Sequence, residues 1–490
     1  MIMAYLYLLP VLLPVLAGIL IGIVKPLRKG NQTAWLSVAA LAVSLGGVIC
    51  VACMGLPRLE LFTMTPVLTV ALRFDELSGL FSVLSNTAWL LVTVYSAAYE
   101  AHDERKYQFY AWLLVSAGAM HGLFCSENLV TMYLFFEMVT LLSMPLILQG
   151  CTRESVAAAL KYLFYSIAGA FLGLLGIFYI YRVASVTPVF TAGGIALDLT
   201  GRENIFLVVV FLTLIGFCTK AGMFPMHGWL PTAHAVAPAP VSALLSGVIT
   251  KAGVYCVIRI LYYTVGAEPL RGTWVQYAFL ALTLITIFMG SMMAYKEKVW
   301  KKRLAYSTVS QVSYVLLGLG LLNPIALIGA LLHVVFHSVS KNTISLTAGA
   351  VIYDTGRTRV DELRGIGREM PITLWCFTLA SVTLIGIPPT SAFLSKWYLA
   401  EGALASGTGI LTWLAPVILL VSALLTAAYL LPTSVDGFFP GKNMPAVRRR
   451  HEDMRMVLPM VIFTAAAVGI GIWVTPLLQY IERITGAVLS

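Results

Sequence analysis

Long apolar blocks separated by short polar ones run the whole length of the chain. A helix crossing the hydrocarbon core of a bilayer needs about 20 mostly apolar residues. Blocks of that size predict fourteen spans, at 4–24, 33–54, 74–98, 108–125, 128–149, 155–181, 204–223 with a broken continuation to 239, 241–263, 274–294, 304–322, 325–349, 372–400, 408–432 and 456–478. The connections are too short to hold a soluble domain. The predicted class is therefore an all-α, polytopic membrane protein.

The polar positions inside these blocks are the informative ones. Residues 216–255 form an apolar run that carries Lys220, Lys251, His227, His234, Pro225, Pro231, Pro238 and Pro240. Proline removes a backbone hydrogen bond and clashes with the preceding helical turn. Irregular backbone at membrane depth is tolerated only where protein or a water-filled cavity surrounds it. A charge there costs about 2.5–3.5 kcal/mol on insertion scales unless it is paired or wet. A broken helix beside two lysines is thus a candidate ion site, with His227 and His234 as accessory candidates.

Four other spans add to it. Glu137 falls about nine residues into the fifth span, roughly 14 Å deep and near the midplane. Lys161 lies near the start of the sixth, where snorkelling competes with function. His333, His337 and Lys341 in the eleventh are spaced i, i+4, i+8 and share one helix face. In the twelfth, Pro388 and Pro389 predict a second break, followed by Lys396. Two proline-broken spans, five spans apart and each beside a lysine, suggest an inverted repeat. The division read from this is 1–98 for helices 1–3, 99–273 for a first five-helix repeat, 274–432 for a second, and 433–490 for an inner loop and helix 14.

Charge refines the picture. The net charge of +10 suggests nucleic-acid binding until the charges are located. Of 32 Lys and Arg residues, twenty fall in loops on one side, including Lys25 to Lys29, Lys296 to Arg303, Arg357 to Arg368, Lys442 and Arg448 to Arg455. Only six fall on the other side, and six lie within spans. By the positive-inside rule this excess is a topology signal that places both termini outside. With 59% hydrophobic and 11% charged residues, the chain is not an ordinary soluble globule. Cys50 and Cys53 form a CxxC on an apolar helix without a second pair, so they read as packing residues rather than a zinc site. The N-terminus has no basic region or small-residue cleavage site and reads as the first span.

Five segments carry a resemblance: FFEMVTLLSMPL, KAGMFPMHGWLPTAHAVAPAPVSALLSGVITKAGVY, KKRLAYSTVSQVSYV, HVVFHSVSKNTISLTAGAV and GIPPTSAFLSKWYL. Nearly the whole chain resembles the antiporter-like membrane subunits shared by respiratory complex I, membrane-bound hydrogenases and formate hydrogenlyases, and Mrp-type Na+/H+ antiporters. The resemblance implies fourteen helices, inverted five-helix repeats, discontinuous helices 7 and 12, and a midplane axis of charged residues. It implies a coupled pair at Glu137 and Lys220, a connecting lysine at Lys251, a central relay of His333, His337 and Lys341, and a terminal lysine at Lys396. Many relatives carry an acidic residue where LPTAH has Thr232, which leaves the role of that position open. The hydrogenase-type relatives are the nearer likeness, and no long lateral helix is expected after the last span.

The functional reading is a proton-translocating subunit of a redox-driven membrane complex. The alternative is a cation (Na+)/proton exchange subunit of an Mrp-type assembly. A stand-alone transporter of an organic solute is the third. No quinone, flavin, nickel or iron–sulfur motif is present, so no cofactor, catalytic or metal site is expected in this chain and its standing as an enzyme stays open. Expected partners are homologous and small membrane subunits, protons or Na+, and the lipid bilayer, with no nucleic acid. The expected location is the inner (plasma) membrane.

Overall fold

The computed structural model describes residues 2–28, 31–55, 57–65, 68–441 and 449–489. Lys29, Lys442 and Arg448, expected in the more basic set of loops, lie outside the described residues. The order of long helices is α1 (Leu8–Ile23), α2 (Gln32–Met54), α3 (Glu76–Tyr99), α4 (Lys106–Phe124), α5 (Leu129–Ile147), α6 (Arg153–Val183), α7 (Glu203–Ala221) and α8 (Trp229–Val236). A continuous helix with two π turns, α9, follows at Ala239–Val265. Then come α10 (Trp274–Lys296), α11 (Trp300–Gly320), α12 (Pro324–Thr355), α13 (Pro371–Ile385), α14 (Ser391–Leu404), α15 (Ile410–Phe438), α16 (Met454–Ile472) and α17 (Thr475–Val488).

Among the described residues, 11 helices are long and apolar enough to cross a membrane. The chain is a multi-pass membrane protein, and its exterior agrees: Phe164, Phe171 and Phe178 are each about two-thirds or more exposed, seven residues apart on one face of α6. Such a stripe is stable only against lipid or another apolar surface. Helix α11 is long enough to span but more polar, and its Ser307, Thr308, Ser310, Gln311 and Ser313 all point into the bundle. A helix surrounded by protein does not need lipid-compatible faces. The central pillar is α12, buried almost continuously from Ala326 to Val351.

Three expectations change. The all-α class gains a small antiparallel hairpin, Leu59–Thr63 paired with Thr69–Leu72, between α2 and α3. The last predicted span, 456–478, ends early: α16 stops at Ile472, and a separate helix begins at Thr475 with a proline in its first turn. In α17, Ile481, Ile484, Thr485 and Val488 are buried while Glu482 and Arg483 are exposed, the stripe of an amphipathic helix. Cys50 and Cys53 face outward from α2 as free thiols rather than packing inside.

The prolines divide by position. Pro225 lies in the gap between α7 and α8, and Pro388 and Pro389 lie in the gap between α13 and α14. Phe224–Pro225 and Pro388–Pro389 are both cis. Pro231, in contrast, breaks nothing, because it occupies the first turn of α8, where no intrahelical N–H is needed. Pro240 lies in the first turn of α9 for the same reason, while Pro238 sits in the extended break between α8 and α9.

One strong interaction was not legible in the sequence. Arg259 in α9 is fully buried and makes a bidentate pair with Asp75, the N-cap of α3, at 2.6 and 2.8 Å. Its guanidinium also meets the Tyr255 hydroxyl and lies 4.5 Å from the Tyr263 ring centroid. Removing one partner strands a buried charge, at a cost of about 3–5 kcal/mol. Asp75→Ala is therefore expected to lower the thermal stability of the purified protein sharply, and Asp75→Leu with Arg259→Met to recover much of it. Equal melting of Asp75→Ala and wild type would show that the pair contributes nothing.

Candidate functional site

Both helix gaps are built alike. Helix α7 ends on Gly222 at φ 81° and α13 ends on Gly386 at φ 86°, the left-handed conformation that glycine adopts without strain. Each leaves the last carbonyls of the first half-helix without helical partners. A helix C-terminus carries partial negative charge and favours a cation. Lys220 lies in the last turn of α7. Lys396 reaches back from α14 to donate to the Leu384 and Ile385 carbonyls at the end of α13, both at 2.8 Å.

Lys220 is buried, its ammonium donating to the Thr140 hydroxyl of α5 and lying 4.9 Å from the Phe136 ring centroid and 5.4 Å from that of Tyr162. Among the described residues, no ion pair within 4.0 Å joins it to Glu137. Glu137 lies one turn before Thr140 on α5, and its Oε1 is buried without a hydrogen-bond partner. Residues i and i+3 of a helix are surface neighbours. Thr140 and Glu137 are thus adjacent acceptors beside one lysine, and the lysine occupies the neutral one.

Lys251 meets a histidine of α12 directly. Its Nζ donates to the Ser246 carbonyl at 2.7 Å and lies 2.7 Å from His337 Nδ1. Two glycines allow this approach: a Cβ at Gly253 would sit 2.6 Å from the Phe217 carbonyl oxygen of α7, and one at Gly247 only 2.3 Å from Asn342 Nδ2 of α12. The ring of His337 stacks on that of His333, with centroids 6.0 Å apart and planes at 20°. His333 stacks in turn on Tyr314, at 5.3 Å and 16°. Lys396 Nζ is 5.3 Å from the Tyr314 ring centroid. Ser395, the neighbour of Lys396, bonds His333 Nδ1 at 2.9 Å. Lys251, His337, His333 and Lys396 are therefore brought into one row.

Other expected members stand apart. Lys341 is fully buried but turns to α11, donating to the Leu304 carbonyl at 3.0 Å rather than meeting His337. Lys161 donates to the Thr232 hydroxyl at 3.0 Å, so Thr232, whose role the sequence leaves open, is the partner of this lysine. His234 is buried, its Nε2 3.4 Å from the Ser246 hydroxyl, which also bonds Thr308 at 3.0 Å. His227 stacks on Phe224, with Nδ1 buried and unpartnered.

Sequence reasoning missed Thr140, Ser246, Ser395, Tyr314 and Gln311. Gln311 Oε1 lies 3.2 Å from His333 Nε2, and its amide nitrogen is buried without a partner. The proton of Ser395 is committed to the Ala392 carbonyl, so its oxygen accepts from His333 Nδ1–H. A protonated His333 then donates from Nε2 to Gln311 Oε1, whereas a neutral ring needs the amide turned so that its NH2 donates. The available signal was the run of Ser, Thr and Gln through an otherwise apolar α11.

The family described as "NADH:quinone oxidoreductase/Mrp antiporter, TM" matches residues 126–426, which hold every residue of this row. The chain belongs to that family. It is 34% identical over 92% of its length, and 91% of the relative's, to NADH-quinone oxidoreductase subunit N of Desulforudis audaxviator. It is 27% identical over 92% of its length to a Na(+)/H(+) antiporter subunit of Alkalihalophilus pseudofirmus, covering 90% of that protein. In fold it is similar to a chain of the Mrp complex from Dietzia, with a TM-score of 0.86 at 21% identity, covering 99% of this chain and 97% of the other.

Proposed function

We propose that the chain is an antiporter-like, ion-translocating membrane subunit of a redox-driven complex, in which protons move along a row of Lys220, Lys251, His337, His333 and Lys396. The observation that carries this is the contact between Lys251 Nζ and His337 Nδ1. At 2.7 Å only one hydrogen lies between the two nitrogens. An ammonium requires an imidazole that accepts, and an imidazolium requires an amine that accepts, so a charge entering the pair is handed between them. The 6.0 Å step between the histidine rings is of a length that one water bridges. Glu137 and Lys220 act as the switch, and Lys341 as a side reservoir facing the inner loops. The likeness to a quinone oxidoreductase subunit supports a redox-driven parent. The 27% identity to an antiporter subunit supports the second reading, an Mrp-type Na+/H+ exchange subunit.

The same proposal includes fourteen crossings with α7–α8 and α13–α14 as the discontinuous seventh and twelfth, and inverted repeats at 99–273 and 274–432. The matching glycine-capped gaps support it, Lys220 lying in the last turn of α7 and Lys396 reaching from α14 to the last carbonyls of α13. Purifying the native complex tests the function. Co-purifying redox subunits and pumping driven by electron transfer support the first reading, and a set of small membrane subunits alone supports the second. A chain that purifies alone and moves an organic solute overturns both.

The basic excess supports an inner-membrane orientation with both termini outside. Cysteines placed at 296–303 or 449–455 should resist an impermeant thiol reagent in intact cells and react after lysis. Ready labelling in intact cells would reverse the orientation.

A further inference from the structure

A cavity of about 420 Å³ lies between α2, α3, α12, α16 and α17, outside the row of titratable groups. Its walls are mostly apolar, with Val83, Leu84 and Leu91 of α3, Val335 of α12 and Ala466 of α16 among them and Thr87 as a polar exception on α3. It is long rather than round. On α3 it runs from Gly79 to Leu91, a rise of about 18 Å. That is close to one leaflet, half of a roughly 30 Å hydrocarbon core.

Its two ends differ chemically. The inner end reaches Ser338, whose Oγ is buried without a hydrogen-bond partner and whose neighbour in sequence is His337. The mouth is framed by Tyr480 of the amphipathic α17. Its hydroxyl donates to the Glu76 carbonyl at 2.8 Å and closes over Gly79, where a Cβ would come within 2.6 Å of that oxygen. Beside it, Arg483 is 63% exposed, stacked on Tyr480 and paired with the Glu76 carboxylate at 3.2 Å. Glu482 is exposed next to it. An exposed guanidinium flanked by carboxylates at the level of a headgroup suits a phosphodiester that carries an ammonium group.

We propose that this slot holds one acyl chain of a zwitterionic phospholipid, with the phosphate at Arg483 and the chain end at Ser338. The occupant is a structural lipid of the subunit. It fills the flank of α12 behind His337 with hydrocarbon, so that water reaches the relay along its polar row and not from the side. A mostly apolar slot one leaflet deep matches a chain in length and polarity, and the pairing at the mouth matches the headgroup in charge.

The test reads lipid and not pumping, so it is independent of the transport proposal. The assembled complex is reconstituted in phosphatidylethanolamine–phosphatidylglycerol vesicles, extracted, stripped by detergent exchange and weighed intact. One phosphatidylethanolamine should persist per copy of this chain. Val83→Trp and Ala466→Trp fill the slot and should lose it. Arg483→Glu should cut retention about tenfold, the effect of a lost contact of roughly 1.4 kcal/mol. Leu175→Trp, on the outward face of α6, should retain the lipid. Should the tryptophan variants fail to assemble, phosphatidylethanolamine with a photoreactive acyl chain is applied to the wild-type complex. Label that survives the wash in peptides spanning 80–91 and 462–470 supports the site. Equal retention in all variants, no label in those peptides, a quinone in place of the phospholipid, or a Val83→Cys crosslink to a neighbouring subunit would each overturn it.

Discussion

Lys251→Ala should reduce proton movement by the assembled complex roughly a hundredfold, the lower range for losing a positioned proton-transfer group. The lysine is in direct contact with His337, and its helix packs closely against α7 at Gly253 and against α12 at Gly247. Alanine leaves His337 Nδ1 facing a gap and removes the charge handed to it. Lys251→Arg should not rescue it, because a guanidinium stays protonated and cannot give its proton up. His337→Ala should be as severe, and the double variant little worse than either, since the two nitrogens share one proton. Lys341→Ala is also expected to block movement while leaving assembly intact, because it removes a fully buried amine that is held at the Leu304 carbonyl of α11 and belongs to the proposed path. The measurement is acidification in proteoliposomes at matched complex amounts. Normal pumping by Lys251→Arg would show that proton exchange at this position is not part of transport.

The second large effect concerns the switch. Glu137→Gln keeps the shape of the side chain and removes its charge. Attraction between unit charges 4 Å apart is on the order of 4 kcal/mol at an effective dielectric near 20. Without it, Lys220 loses the anion that would draw it away from Thr140 and hold it protonated. Pumping should fall at least about tenfold, which a loss of 1.4 kcal/mol already produces. Lys220→Ala should fall as far, and the double variant should match the singles, because in the proposed switch the two residues act as one unit. Thr140→Val separates the two resting places of the lysine: it removes the neutral acceptor seen here and leaves Glu137. If Thr140→Val pumps poorly while Glu137→Gln pumps normally, the lysine works against the hydroxyl alone and the carboxylate has no part in the switch.

Much of this was legible in the sequence because membrane solvation is strict. An ionisable side chain in a long apolar block has to be paired, wet or functional. That rule picked out Lys220, Lys251, His333, His337, Lys341 and Lys396 without coordinates. The gaps at 222–228 and 386–390 were legible for the same reason, since each contains a proline where an apolar block should have continued as helix. Pro231 and Pro240 misled because a proline in the first turn of a helix looks, in one dimension, like a proline that breaks one, whereas Pro238 does lie in a break, between α8 and α9.

What the sequence could not determine is which polar groups meet. Helical spacing put Lys341 on the face of His333 and His337, but a long side chain chooses its own acceptor, and Lys341 found the Leu304 carbonyl on α11. Residues 137 and 220 read as a direct pair, and the fold placed Thr140 between their roles. Arg259 and Asp75 are 184 positions apart, and nothing local announces their bidentate bond. By itself the sequence determined a multi-pass helical membrane protein, its two helix gaps and several ionisable residues inside its spans, because transfer into hydrocarbon penalises each residue where it stands. Only the tertiary structure decided the partners, because a hydrogen bond depends on distance and direction between helices, which packing at positions such as Gly247 and Gly253 sets.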